Sequence, residues 1–473
     1  MAESLEMRRL LEPNDAYSET SSVSGIRGKA KDFFHGRLDE TDNETDTTYD
    51  SDHTTKSMKE AHSSPYRWLM LFLYSFNTLM MSVSAICLAT ITNVLLPFYD
   101  AVDDNFTVTV LVNIPSFTYI VFAVPFSIMT ARYGLRPVII FASVLTTLSC
   151  GLRYAGSHKA GFNYIIASQF FASMSYSMLL QMPAKLAKVW FPKYERAIAT
   201  SIGAYMYILG VAVGFLWSSR IVSISPELLT LESSLKILHG SQIGLSLLLF
   251  VLTVALFKEE PSSASVLDRI KRMDNQEQSF LKSMIKLMKN KRFHMIGHAY
   301  GIYWGINDSL SLSLDLFVRS LYKEIDDKEI NWLGFTKNVS SVATVVALAM
   351  LLDRFQRYRL ISTITHASSF VLFTVFFISG IFGNYFGLFA SYCIYGLVAV
   401  PYITNGLQHI ALLTEPVSEV TSSAFVLVLS NFYGCVLSIL FAYGIEHTGI
   451  YLGFIMSGLY LISTLLVLFT ARD

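Results

Sequence analysis

From Tyr66 to about Thr470 the chain alternates apolar runs of roughly 20 residues with short polar connections. A run of that length matches a hydrocarbon layer ~30 Å thick at 1.5 Å of helical rise per residue. Lipid offers no partner to a backbone amide, so each run must satisfy its own polar groups and is predicted to be helical. The pattern places helices at about 68–96, 108–130, 137–154, 162–186, 197–219, 235–257, 293–317, 331–352, 359–380, 384–407, 421–443 and 449–470. The expected fold is an all-α membrane protein: twelve transmembrane helices in two six-helix halves, 66–257 and 293–473.

Two segments break the pattern. Residues 1–65 are polar and rich in Ser, Thr, Asp and Glu, the composition of a disordered cytosolic tail. No cleavable signal peptide is read there. In the 258–292 connection, Val266, Ile270, Met273, Phe280, Met284 and Met288 largely follow helical spacing with Lys and Arg between them. That pattern predicts an amphipathic helix on the cytosolic leaflet, or a solvated linker helix.

Composition narrows the picture. Of 473 residues, 52% are hydrophobic and 15% charged, which excludes a string of soluble domains. The net charge is zero, so no nucleic acid is expected as a partner. Cys87, Cys150, Cys393 and Cys435 all sit in apolar runs and read as small buried hydrophobes. There is no phosphate loop, zinc spacing or nucleophile elbow, so no catalytic residue, metal or cofactor is assigned. The driving force for any transport is then a gradient.

Positive charge sets the orientation. Placing the tail, the even-to-odd connections and the C-terminus in the cytosol puts about 28 Lys/Arg there, against about 7 opposite. The first connection then faces the lumen or exterior, with Asp100, Asp103, Asp104 and the sequon at Asn105, a glycosylation candidate. Asn43 heads a sequon in the tail, and Asn307 and Asn338 head sequons within membrane segments.

Charges at membrane depth cost a few kcal/mol each, so they are site candidates. Asp308 and Asp315 lie seven residues apart in the seventh helix, on nearly one face. Lys337 lies in the eighth at comparable depth, which leaves an Asp308–Lys337 pair open, structural or functional. Asn77, Tyr176, Gln181, Trp304, Asn307 and Asn431 are neutral candidates for a substrate or proton pathway. Helix–helix hydrogen bonds explain such residues equally well. His298 and His409 could titrate. Gly210 and Gly214 have the spacing of a close helix contact.

A weak repeat relates the halves. Ala131-Arg132-Tyr133-Gly134-Leu135-Arg136 stands between helices two and three, and Asp353-Arg354-Phe355-Gln356-Arg357 between helices eight and nine. Both resemble the Asp-Arg-x-Gly-x-Arg loop of the major facilitator superfamily, although the first copy lacks the acid. Arg132, Arg136, Asp353 and Arg354 are the gating-loop candidates. Trp190-Phe191-Pro192-Lys193-Tyr194-Glu195-Arg196 and Leu413-Thr414-Glu415-Pro416-Val417-Ser418-Glu419 resemble the feline leukaemia virus subgroup C receptor-related carriers, solute carrier family 49. Gly151-Leu152-Arg153, Trp332-Leu333-Gly334-Phe335 and Leu429-Ser430-Asn431 look closest to the lysosomal branch of that family.

The resemblance implies parallel halves around a midplane site and proton-linked or facilitated movement of a small organic solute. Pyridoxine (vitamin B6) is implied by the lysosomal branch, and choline, ethanolamine or haem by the receptor-like branch. Tyr176 and Asn431 align with pore-lining residues of the latter. Its choline cage uses a Trp in helix one and a Tyr in helix seven. Here those regions read Leu79-Met80-Met81-Ser82 and Asp308, so a cage of that pattern is not expected. A non-transporting receptor or scaffold is the rival from another class.

The tail adds an address. Glu6-Met7-Arg8-Arg9-Leu10-Leu11 matches an acidic dileucine signal, with clathrin adaptors as its readers and the lysosomal membrane as its destination. The plasma membrane is the alternative. The orientation is testable directly: in sealed vesicles the N-terminal tail should be open to external protease and Asn105 should face inward. A protected tail would reverse the topology.

Overall fold

The computed structural model describes residues 65–91, 95, 98–99, 105–192, 195–222, 230–259, 285–355, 357–414 and 419–470. All of them belong to one unit, Met58–Asp473. Glu6, Leu10, Leu11 and most of the 258–292 connection lie outside the described residues.

The first half runs α1 Tyr66–Ile86, a 3-10 turn at Ala89–Ile91, α2 Asn105–Tyr133, α3 Leu135–Ala155, α4 Phe162–Leu179, α5 Pro183–Trp190, α6 Arg196–Val222 and α7 Leu231–Leu256. The second runs α8 Lys291–Leu312, α9 Leu314–Leu321, α10 Asp327–Phe355, α11 Tyr358–Ile381, α12 Tyr385–Ala399, α13 Tyr402–Leu413 and α14 Glu419–Phe469. Among the described residues, eight stretches are long and apolar enough to cross a membrane, two of them, Ser422–Leu440 and Ile450–Phe469, within α14. The other four predicted crossings are helical too. Three are split, as α4/α5, α8/α9 and α12/α13, and the fourth, α10, carries Lys337 near its middle.

Each interruption has a local cause. Pro183 opens α5, where its missing N–H costs nothing. Pro401 separates α12 from α13. At the α8/α9 joint, Ser309 Oγ and Ser311 Oγ donate back to Ile306 O at 3.0 Å and Asn307 O at 2.8 Å. Such bonds compete with the helix ladder and bend it. The first predicted helix, 68–96, is also shorter than expected. Arg153 Nη1 donates to Ser84 O at 2.5 Å and Thr90 Oγ1 to Cys87 O at 2.8 Å, so the last turn gives its carbonyls to side chains. The four interrupted crossings are the first, fourth, seventh and tenth, one in every three helices. Cys87, Leu88, Met182, Ser313 and Val400 at these joints are buried in protein, the condition under which irregular backbone is tolerated at membrane depth.

Packing builds the halves and joins them. Gly210 and Gly214 of α6 lie against α1: a Cβ on Gly210 would sit 2.5 Å from Leu79 O and 2.7 Å from Ser82 Cβ. The expected close contact is therefore made with the first helix. Between the halves, α6 packs against α10 and α2 against α14. Tyr205 of α6 donates to Asn338 O of α10 at 2.8 Å and bonds Ser341 Oγ. Cys87, Cys150 and Cys435 are buried as expected, whereas Cys393 is half-exposed because the α12 face that bears it is only partly covered.

Candidate functional site

A narrow cavity, about 40 Å³ in volume, lies where the halves meet. Its walls come from α1, α2, α4 and α6 on one side and from α8 and α10 on the other. Ser82 stands on the α1 wall in place of any bulky ring. Tyr176 of α4 packs edge-on against Tyr119 of α2 at 5.7 Å and tilts against Tyr207 of α6 at 5.8 Å between centroids. This three-ring stack fixes the Tyr176 and Tyr207 rings at the cavity wall. Trp304, Asn307, Asp308 and Ser311 face them from α8, and Asn338 from α10.

Asp308 is half-buried at this wall, and the groups that act on its carboxylate are the Tyr207 hydroxyl and the Lys337 ammonium. Lys337 is buried, 1% exposed. Its Nζ donates to Ser311 Oγ at 2.9 Å and lies 5.7 Å from the Tyr392 ring centroid and 6.0 Å from that of Tyr395. The predicted pair is thus brought together without a contact ion pair. The seventh crossing turns Asp308 toward the cavity, while Lys337 reaches Ser311 between α8 and α12.

Ser311 also lines a second, smaller cavity of about 30 Å³, at the end where α6 finishes and α9 and α10 begin. Asp315 and Asp327 are in its wall. Arg319 joins them: Nε donates to Asp315 Oδ1 at 2.8 Å, Nη2 to Asp327 Oδ1, and Nη1 to Ile325 O at 3.2 Å. Asp315 is therefore part of an end-of-helix clasp one cavity away from Asp308.

Other candidates are turned to their neighbours. Asn77 Nδ2 donates to Leu73 O and to Thr253 Oγ1, both at 2.8 Å, and so ties α1 to α7. Gln181 Nε2 donates to Ala123 O at 3.2 Å and Ser177 O at 2.9 Å, which ties the fourth crossing to α2. Asn431 Nδ2 donates to Leu427 O at 2.8 Å within α14. His298 Nδ1 meets the Tyr433 hydroxyl at 2.9 Å, and His409 Nδ1 meets Ser362 Oγ at 3.4 Å. None of these five is in the wall of either cavity.

The loop candidates change character. Arg132 belongs to the last turn of α2, and one residue, Gly134, separates α2 from α3. Asp353 and Arg354 fall in the last turn of α10 rather than in a loop, and their side chains lie outside the described residues. The acid absent from the first copy is supplied from elsewhere. Glu259, just past α7, accepts from Leu135 N at 2.7 Å and Arg136 N at 2.6 Å. Its carboxylate caps the positive end of α3. Gly134 has φ +89°, and a Cβ there would collide with the Glu259 carboxylate. Arg136 Nη2 closes the junction on Val254 O at 3.2 Å.

Sequence reasoning did not single out Tyr207, Ser311 or Glu259, and named Arg153 only within a family resemblance. Arg153 is fully buried, and its guanidinium is held by Ser84 O, Ser84 Oγ, Ser168 Oγ and Gln169 Oε1. Its place near a predicted helix end disguised it as an interfacial charge. Tyr207 and Ser311 carry no such signal.

Residues 68–442 match the family described as Major Facilitator Superfamily. The chain belongs to that superfamily. A Danio rerio protein named choline/ethanolamine transporter flvcr2a is 26% identical over 440 residues, 92% of this chain and 93% of the relative. The Homo sapiens choline/ethanolamine transporter FLVCR2 is 25% identical over 379 residues, 79% of this chain and 71% of the relative. The fold is similar to that of a D-xylose–proton symporter, with TM-score 0.66 and 12% identity over 86% of this chain and 98% of the symporter. It is also similar to a bacterial homologue of the human lysosomal transporter Spinster, with TM-score 0.60 and 12% identity over 86% and 95% of the two chains. The chain is thus a multi-pass membrane transporter of a small molecule and not an enzyme. This sets aside the scaffold reading.

The Glu259 cap makes a prediction for this helix junction. Glu259→Ala should destabilise the folded protein by about 1–2 kcal/mol, the worth of a partly buried N-terminal cap. Thermal unfolding in detergent checks it, and an unchanged midpoint would make the contact incidental.

Proposed function

We propose that this chain is a proton-linked secondary carrier that moves a small ring-bearing organic solute, of the pyridoxine class, out of lysosomes. The observation that carries the reading is the cavity between the halves with Asp308 in its wall. Tyr176, Tyr207 and Trp304 line it with aromatic rings, and Asn307, Asn338 and Ser116 with polar side chains, a lining suited to a ring that bears hydroxyls. Asp308 supplies a carboxylate that exchanges a proton when the cavity opens to one side and then the other. One pH unit across the membrane is worth about 1.4 kcal/mol per proton, about ten-fold accumulation at one-to-one coupling.

A second reading, a choline or ethanolamine carrier, is favoured by the names of the relatives. Against it stand Leu79-Met80-Met81-Ser82 and Asp308 in the regions where the receptor-like cage would place its rings. A cation in this cavity would also meet the field of Lys337.

The coupling role is tested by Asp308→Asn in liposomes whose luminal face is acid. Wild type should accumulate pyridoxine against its gradient. The variant should lose accumulation and the dependence of uptake on the pH gradient. An unaltered pH profile in the variant would reduce Asp308 to a structural role.

The lysosomal address rests on Glu6, Leu10 and Leu11 in the tail, read by a clathrin adaptor. Changing both Leu10 and Leu11 to Ala should move the tagged protein from lysosomes to the plasma membrane. Wild type already at the plasma membrane would refute the assignment.

A further inference from the structure

Asp308 stands in the wall of the midplane cavity, whereas Lys337 is buried behind that wall and reaches it through Ser311, a wall residue. Lys337 Nζ, one donor to Ser311 Oγ at 2.9 Å, rests over Tyr392 and Tyr395. Gly396 brings α12 this close: its Cα lies so near Lys337 O that no Cβ would fit. Among the described residues the ammonium meets no carboxylate at ion-pair distance. Asp308 lies three residues before Ser311 on the same helix, ~4.5 Å of rise. Among the described residues Asp308 is the one charged residue in the wall of the midplane cavity, and the Lys337 ammonium is the cation bonded to the back of that wall at Ser311.

We infer that the site is built for a zwitterion, a solute whose cationic N–H meets Asp308 while its anionic oxygen replaces Ser311 as the acceptor for Lys337. The inference rests on the carrier reading above and names its substrate class. Asp308 and Lys337 together carry no net charge, so a solute of net charge zero enters without leaving an unbalanced charge in a water-poor space. A purely cationic solute would gain Asp308 and be repelled by Lys337. A purely anionic one would meet the reverse. The exchange at Ser311 is local. Lys337 has a flexible four-carbon stem and two further N–H donors. Ser311 keeps its own donor bond to Asn307 O at 2.8 Å when the ammonium leaves.

The test uses the full chain in liposomes with two probes. Pyridoxine carries opposite charges on its ring nitrogen and phenolic oxygen near neutral pH. Its 3-O-methyl ether cannot form the oxyanion. Wild type should take up pyridoxine about ten-fold faster, the value of one hydrogen bond to a charged group. Lys337→Gln should erase that preference, bringing the two rates within about two-fold. Should the variant fold poorly, thermal shift on wild type decides the same question: stabilisation by pyridoxine and none by the ether supports the inference. Equal uptake of both probes by wild type, or a preference retained in Lys337→Gln, overturns the zwitterion inference alone. Neither uptake nor thermal shift with either probe overturns the carrier reading beneath it as well.

Discussion

A backbone amide in hydrocarbon has no partner but its own helix, and this constraint organises the whole molecule. It forces every crossing to be helical and confines each interruption to places shielded by other helices. The joints at Cys87–Leu88, Met182, Ser313 and Val400 obey that condition. Each gives up regular bonds only where side chains, proline chemistry or neighbouring helices make up the loss. Because the interruptions recur in every third crossing, broken helices from both halves meet around the same central space, and α1, α4 and α8 supply walls of the midplane cavity.

The same constraint explains why so many polar residues at membrane depth are not at the site. A buried amide side chain must find a partner, and the nearest is usually a carbonyl one turn back or a hydroxyl on the next helix. Asn77, Gln181 and Asn431 each take that route. Asn77 and Gln181 also tie one helix to the next, while among the described residues Asn431 bonds only within α14. Charged residues cannot be absorbed so cheaply. Arg153 needs four neutral oxygens around it, Arg319 two carboxylates and a carbonyl, and Lys337 a hydroxyl and two ring faces.

The junction between α2 and α3 shows a related economy. The superfamily loop signature expects an acid within the loop. Here the loop is a single glycine, and the carboxylate comes from the end of α7. A helix N-terminus attracts negative charge whichever segment brings it. The physical requirement is met although the sequence pattern is broken.

Hydropathy alone proposed twelve helical crossings, and charge distribution their direction; the all-helical fold of the described residues agrees with the first. Residue type alone marked Asp308, Lys337 and Asp315, because a charge inside an apolar run is visible without a structure. What the sequence left open is which way each helix faces. In a soluble helix the polar face announces itself. In lipid both faces are apolar: on α11, Val371 and Val375 are 56% and 45% exposed, while Phe373 and Phe376 are each 1% exposed. The apolar pattern therefore carries no sign of rotation about the helix axis, and only packing supplies it. That is why Tyr207 and Ser311 emerged as wall residues, why Asn77 turned away, and why Glu259 met α3 across more than a hundred residues of chain.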